Sequence, residues 1–99
     1  MDIEEIKQKI APVLDRYDVV QASVFGSVAR GVARVDSDVD ILIEFGKTPG
    51  LVKLIRMEDE LQQSLNKKVD VVIKGSEKPL IRPFIYKDLI KLYEQRLAV

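Results

Sequence analysis

The sequence predicts a small α/β (α+β) domain, a layer of about three strands covered by helices. Three observations lead there. Apolar residues recur every three or four positions near the N-terminus and again after residue 50. Between and beyond those stretches lie short β-branched runs, 19–25 and 69–73, bounded by loop residues. Residues 38–45 alternate in character with the two-residue period of a strand.

Taken in order, Ile3, Ile6, Ile10, Val13, Leu14 and Tyr17 form the apolar stripe of a first helix. Asp2, Glu4 and Glu5 lie at the end where the helix dipole favours acids. Val19 to Phe25 reads as a buried strand ended by Gly26, and a compact segment from Gly26 to Gly31 follows. A polar turn through Asp36 and Ser37 leads into the strand 38–45. There Val39, Ile41, Ile43 and Phe45 point one way, and Asp38, Asp40, Leu42 and Glu44 the other. Lys47-Thr48-Pro49-Gly50 is a loop. Leu51, Leu54, Ile55, Leu61 and Leu65 mark a second helix, and Asn66-Lys67-Lys68 leads to a strand, Val69 to Ile73, that contains Asp70. Beyond the loop Gly75 to Pro79, the residues Ile81, Phe84, Ile85, Leu89, Leu92, Tyr93 and Leu97 predict a C-terminal helix. Pro83 belongs in its first turn, where a missing N–H costs nothing. No linker divides the chain, so residues 1–99 are expected to form a single domain.

Composition narrows the chemistry. The 99 residues include 16 basic and 16 acidic side chains but no histidine and no cysteine. Disulfides, thiolate chemistry, imidazole bases and Cys- or His-based metal sites are therefore excluded. Any catalysis falls to carboxylates, hydroxyls, lysines, backbone amides or a hard metal ion. A formal net charge of zero argues against nucleic acid as a direct ligand. The basic residues lean towards the second half, as a solvated helix face would explain. No apolar run approaches the ~20 residues needed to cross a bilayer. The N-terminus is acidic and lacks the apolar stretch of a signal peptide, so no membrane and a cytoplasmic location are expected.

Three features carry possible chemistry. Gly26-Ser27-Val28-Ala29-Arg30-Gly31 follows a buried strand directly, and strand, Gly-Ser and helix start together make a plausible phosphate cradle. It is not a P-loop, because Val32-Ala33 replaces the required Lys-Ser/Thr. Second, on a strand Asp38 and Asp40 share a face roughly 6.5–7 Å apart, close enough to share hard cations of the kind that phosphoryl chemistry uses. An EF-hand fails here: Ile41 stands where glycine is needed and Lys47 where the bidentate Glu belongs. Third, Asp70 interrupts an apolar strand and needs water or a partner. If its strand neighbours 38–45, it converges on Asp38 and Asp40 as a third metal ligand or a general base.

Gly26-Ser27-x-Ala29-Arg30-Gly31, a five-residue gap and Ser37-Asp38-x-Asp40-x-x-Ile43 together resemble the signature of the minimal nucleotidyltransferases. These are small members of the DNA polymerase β-like superfamily, and the MntA antitoxins of HEPN/MNT toxin–antitoxin pairs are their best-known group. The match covers residues 26–43, with Ile43 where Val is commoner; length and element order are also similar. The resemblance implies a nucleotidyltransferase fold, a short mixed sheet of about three to four strands with helices packed on one face. It implies that Gly26 and Ser27 hold the triphosphate of ATP and that Asp38 and Asp40 bind two Mg²⁺ ions. Asp70 would complete the site as metal ligand or base. Two roles are open for Arg30, contacting phosphate or pairing with a carboxylate to hold the turn, and the second is preferred.

The implied reaction is Mg²⁺-dependent transfer of AMP from ATP to a hydroxyl. In the MntA group the acceptor is a tyrosine of the HEPN toxin, whose RNase activity is silenced. A HEPN-type protein partner in a hetero-complex is thus expected, with homo-oligomerisation also open. Two alternatives stand beside this. The acceptor could be a small-molecule hydroxyl, although such enzymes usually carry an added helical domain. Otherwise the chain neutralises its partner by stoichiometric binding, through exposed Leu80, Phe84, Tyr86 or Tyr93. At helical spacing such residues are more commonly core.

Overall fold

The computed structural model describes residues 2–95. The chain runs α1 (Ile3–Asp15), β1 (Val19–Phe25), α2 (Gly26–Arg30), β2 (Val39–Phe45), α3 (Leu51–Leu65), β3 (Val69–Ile73), α4 (Arg82–Lys87) and β4 (Ile90–Glu94). Asp2 opens α1 with extended backbone, and its carboxylate accepts the Glu5 N–H at 2.7 Å, which satisfies one of the free donors of the first turn. Asn66 closes α3 in the left-handed conformation, its N–H returning to the Gln62 carbonyl.

The four strands form one mixed sheet in the order β3-β2-β1-β4. β1 is antiparallel to both β2 and β4, whereas β2 and β3 are parallel and α3 supplies the crossover between them. α1 and α3 cover one face, as expected. Ile6, Ile10, Val13 and Leu14 of α1 and Met57, Leu61 and Leu65 of α3 pack with Ala22, Val24, Ile41, Ile43 and Val69 in a core closed to solvent. Each large side chain buried there contributes on the order of 1.5–3 kcal/mol. Tyr17 and Arg16, just past α1, both donate to Glu60 of α3 and tie the two helices together. Among the described residues no helix is long and apolar enough to cross a membrane.

The opposite sheet face carries Gln21, Ser23, Asp40, Leu42, Glu44, Asp70 and Val72, and short α4 stands against it through buried Ile85. Here the structure departs from the expected C-terminal helix. Pro83 does lie in the first turn of α4, but the helix stops at Lys87 and the chain returns as β4; Leu97 lies outside the described residues. Leu89, Leu92 and Tyr93 satisfy a helical spacing, yet Ile90, Leu92 and Glu94 equally fit a strand. The open edge of β1 decides between them, because β4 pairs with it from Val24↔Ile90 to Gln21↔Glu94 and satisfies its backbone groups. Leu80 and Phe84 are not core residues either: they are 87% and 72% exposed. Tyr93 does pack on the core edge and donates to Asp15.

Candidate active site

The site forms where β1 ends and β2 and β3 begin. Phe25 leaves the strand in extended conformation, and Gly26 then takes φ +72°, a left-handed value that side chains other than Asn and Asp rarely permit. This turns the chain sharply into α2, with Ser27 on its first turn, and Gly31 closes the helix at φ +74°. The two glycines expected from the motif thus bound one short helix. Gly26 is needed for space as well as for conformation: a Cβ there would collide with the carboxylate of Asp40, whose Cγ would lie only 3.4 Å away.

Asp40 sits second in β2, opposite Phe25 on one side and opposite Asp70 of β3 on the other. The expected convergence of Asp40 and Asp70 is therefore set by strand register. Partial burial pushes the Asp40 carboxyl up from 3.8 to about 6, helped by the charges of Asp70 and Asp38 and a hydrogen bond with Asp70; Arg30 opposes the rise.

Asp38 behaves differently from expectation. It precedes β2, whose ladder begins with the Val39 N–H to the Lys68 carbonyl at 2.9 Å. Its carboxylate stands 4.0 Å from the Lys68 ammonium and is 40% exposed. The loop before it is braced by the Arg34 N–H to the Ser37 hydroxyl at 2.7 Å and by Lys67 donating to the Val35 carbonyl at 2.6 Å. Among the described residues, no three acidic side chains gather closely enough to hold a metal ion as they stand. Asp40 and Asp70 alone nevertheless fit a hard divalent cation in kind. They offer only oxygen donors, and their mutual repulsion is incompletely compensated by Arg30.

Arg30 pairs with Asp88, the residue that ends α4, at 3.6 Å. One Asp88 oxygen is buried with no hydrogen-bond partner, so this ion pair is its only counterpart among the described residues. Arg30 also lines a cavity of about 370 Å³ beside the acid pair. Gly26, Asp40 and Asp70 share its polar end; Phe25, Val72, Ile81, Phe84 and Ile85 make the remaining walls. Glu77 fixes α4 in place by accepting from the Gly75 N–H at 2.6 Å and the Tyr86 hydroxyl at 2.9 Å, with Arg82 at 3.6 Å. A smaller cavity of about 160 Å³ lies further along the same face, and its one carboxylate, Glu44, is neutralised by Lys74 at 3.5 Å. Sequence reasoning missed Asp88 and the apolar walls, because both depend on where α4 docks.

Comparison with known proteins follows the same lines. The family model described as a nucleotidyltransferase domain matches residues 5–92. A provisionally named protein adenylyltransferase of Methanocaldococcus jannaschii is 43% identical over 90 residues, covering 91% of this chain and 97% of the relative. The protein adenylyltransferase MntA of Thermococcus cleftensis is 41% identical over 76 residues, 77% of each chain. Among solved structures, a provisionally named minimal nucleotidyltransferase superposes with a TM-score of 0.75 at 33% identity, covering 91% of this chain and 95% of its own. A chain of a toxin–antitoxin complex with AMP-PNP gives 0.77 at 21% identity, covering 91% and 74%, which is a likeness of fold.

Proposed function

Since the chain belongs to the nucleotidyltransferase domain family and is a nucleotidyltransferase, we propose that it transfers AMP from ATP to a hydroxyl, that of a tyrosine, on a partner protein. In this reading it acts as the antitoxin of a HEPN/MNT pair in the cytoplasm. The observation that carries the reading is the facing pair Asp40 and Asp70 beside the Gly26-Ser27 turn, two carboxylates held together at a cost to the fold. Relatives named as protein adenylyltransferases support a protein as the acceptor.

Asp40 and Asp70 would hold Mg²⁺, with Asp38 joining them by leaving Lys68. Bound there, the ion would supply charge neutralisation at the phosphates. The backbone N–H groups at the start of α2 and the Ser27 hydroxyl would take the β- and γ-phosphates. Arg30 is held by Asp88 and serves the turn first. The acceptor oxygen forms its bond to the α-phosphorus, the bond to the β-phosphate oxygen breaks, and pyrophosphate leaves. The hydroxyl proton passes to the Asp70 carboxylate. Catalysis arises mainly from positioning and electrostatics.

The test is label transfer from α-labelled ATP to the partner protein with Mg²⁺ present. Wild type should label it and Asp38→Asn/Asp40→Asn should not; transfer that survives the double substitution would sink the mechanism. Exposed Leu80 favours a second reading, neutralisation by stoichiometric binding. It predicts no rise in melting temperature with Mg²⁺–ATP, whereas the enzymatic reading predicts a rise that Asp40→Asn abolishes.

A further inference from the structure

We infer that the apolar end of the cavity beside Asp40 and Asp70 seats the nucleobase, and that Phe84 stacks on its ring. The inference rests on the nucleotidyltransferase reading for what lies at the polar end. One continuous space of about 370 Å³ joins Gly26 and Arg30 to the walls formed by Ile81 and Phe84, a volume in the range of small-ligand sites. A ligand with its phosphates at Gly26 therefore reaches those walls without leaving the cavity. Phe84 lies on the wall yet is 72% exposed, so its ring is open to stack on a flat ligand in the cavity. Leu80, just outside, leaves a protein partner its own apolar contact.

The walls also define how the base is chosen. Phe25, Val72, Ile81, Phe84 and Ile85 carry no side-chain hydrogen-bonding group, so they hold a ring by its face and do not read its edge. By their side chains these walls select for a planar ring and do not distinguish adenine from guanine.

The experiment measures binding of Mg²⁺–ATP, Mg²⁺–GTP and Mg²⁺–tripolyphosphate by calorimetry to the wild type, Phe84→Ala and Phe84→Trp. ATP and GTP should bind wild type within about five-fold of each other, and each roughly ten-fold or more tighter than tripolyphosphate. Phe84→Ala should lose roughly ten-fold for both nucleotides and nothing for tripolyphosphate, and Phe84→Trp should restore the loss. Equal wild-type affinity for tripolyphosphate and ATP would overturn the inference alone. So would a Phe84→Ala variant that binds ATP and GTP as tightly as wild type, which would leave Phe84 to the acceptor. Wild type that binds none of the three would overturn both the inference and the reading beneath it.

Discussion

The folded chain ionises Asp40 at a cost, and Asp40→Asn should therefore stabilise the metal-free protein at neutral pH. The carboxyl titrates at about 6 in the fold against 3.8 when unperturbed, because it is part-buried beside Asp70 and Asp38. A shift of about two units corresponds to at most about 3 kcal/mol at 1.36 kcal/mol per unit; solvent reaching this half-buried group reduces it to about 1–2 kcal/mol. The sign follows from the raised value. Well below pH 3.8 the group is protonated in both folded and unfolded chains and nothing is lost. As pH rises towards and through 6, the unfolded chain ionises freely while the folded chain resists, so wild-type stability falls and the deficit is complete above about 7. Urea unfolding with a chelator present, at pH 7.5 and pH 3.5, checks this. The asparagine variant should be the more stable by about 1–2 kcal/mol at the higher pH, with the gap closing at the lower. A variant equal to or weaker than wild type at pH 7.5, or a gap that persists at pH 3.5, would refute the reasoning. Added Mg²⁺ should raise the stability of wild type alone.

Gly26→Ala should destabilise the protein by about 1–2 kcal/mol from the left-handed backbone alone, and by more from the collision with Asp40. Thermal melts should show a cost that shrinks when Asp40→Ala is present in the same chain, because the colliding carboxylate is then gone. Asp88→Asn should change stability by no more than about 1 kcal/mol, since its partner Arg30 is half exposed. Calorimetry should show ATP affinity unaltered within about two-fold if Arg30 serves the turn; tighter binding would assign Arg30 to phosphate. Leu61→Ala, at a fully buried position of α3 in the core, should cost about 2–5 kcal/mol in urea unfolding, whatever the nucleotide.

Most of the fold was legible where one period dominates. The strands Val19–Phe25 and Val69–Ile73 and the helix Leu51–Leu65 carry a single clear pattern and end where turn residues stand. The C-terminal segment was not legible, because Ile90 to Glu94 satisfies two periods and the choice lies with a distant strand edge. The site divides the same way. Gly26, Asp40 and Asp70 were marked by being out of place: two aspartates in apolar strands and a glycine at a strand end. Asp38 was placed on β2 by extending the alternation one residue too far, where the ladder with Lys68 has not yet begun. Asp88 carries no such mark, and Phe84 stands out only as an apolar residue a partner could cover. They become part of the site only because α4 docks on the sheet face that carries the acid pair.

The link between Gly26 and Asp40 explains why the two motif halves say more together than apart. Along the chain they are independent patterns, a turn and a strand. In the fold they occupy one volume: the carboxylate of Asp40 fills the space that a side chain at Gly26 would need. Strand register then sets Asp70 against that carboxylate from the other side. A glycine at the turn thus lets an acid pair form at the polar end of the cavity, and ionising that pair burdens the fold. A chain without histidine or cysteine has few other ways to position a hard cation. Concentrating carboxylates is the route its composition leaves, and the raised Asp40 value is the physical trace of that choice.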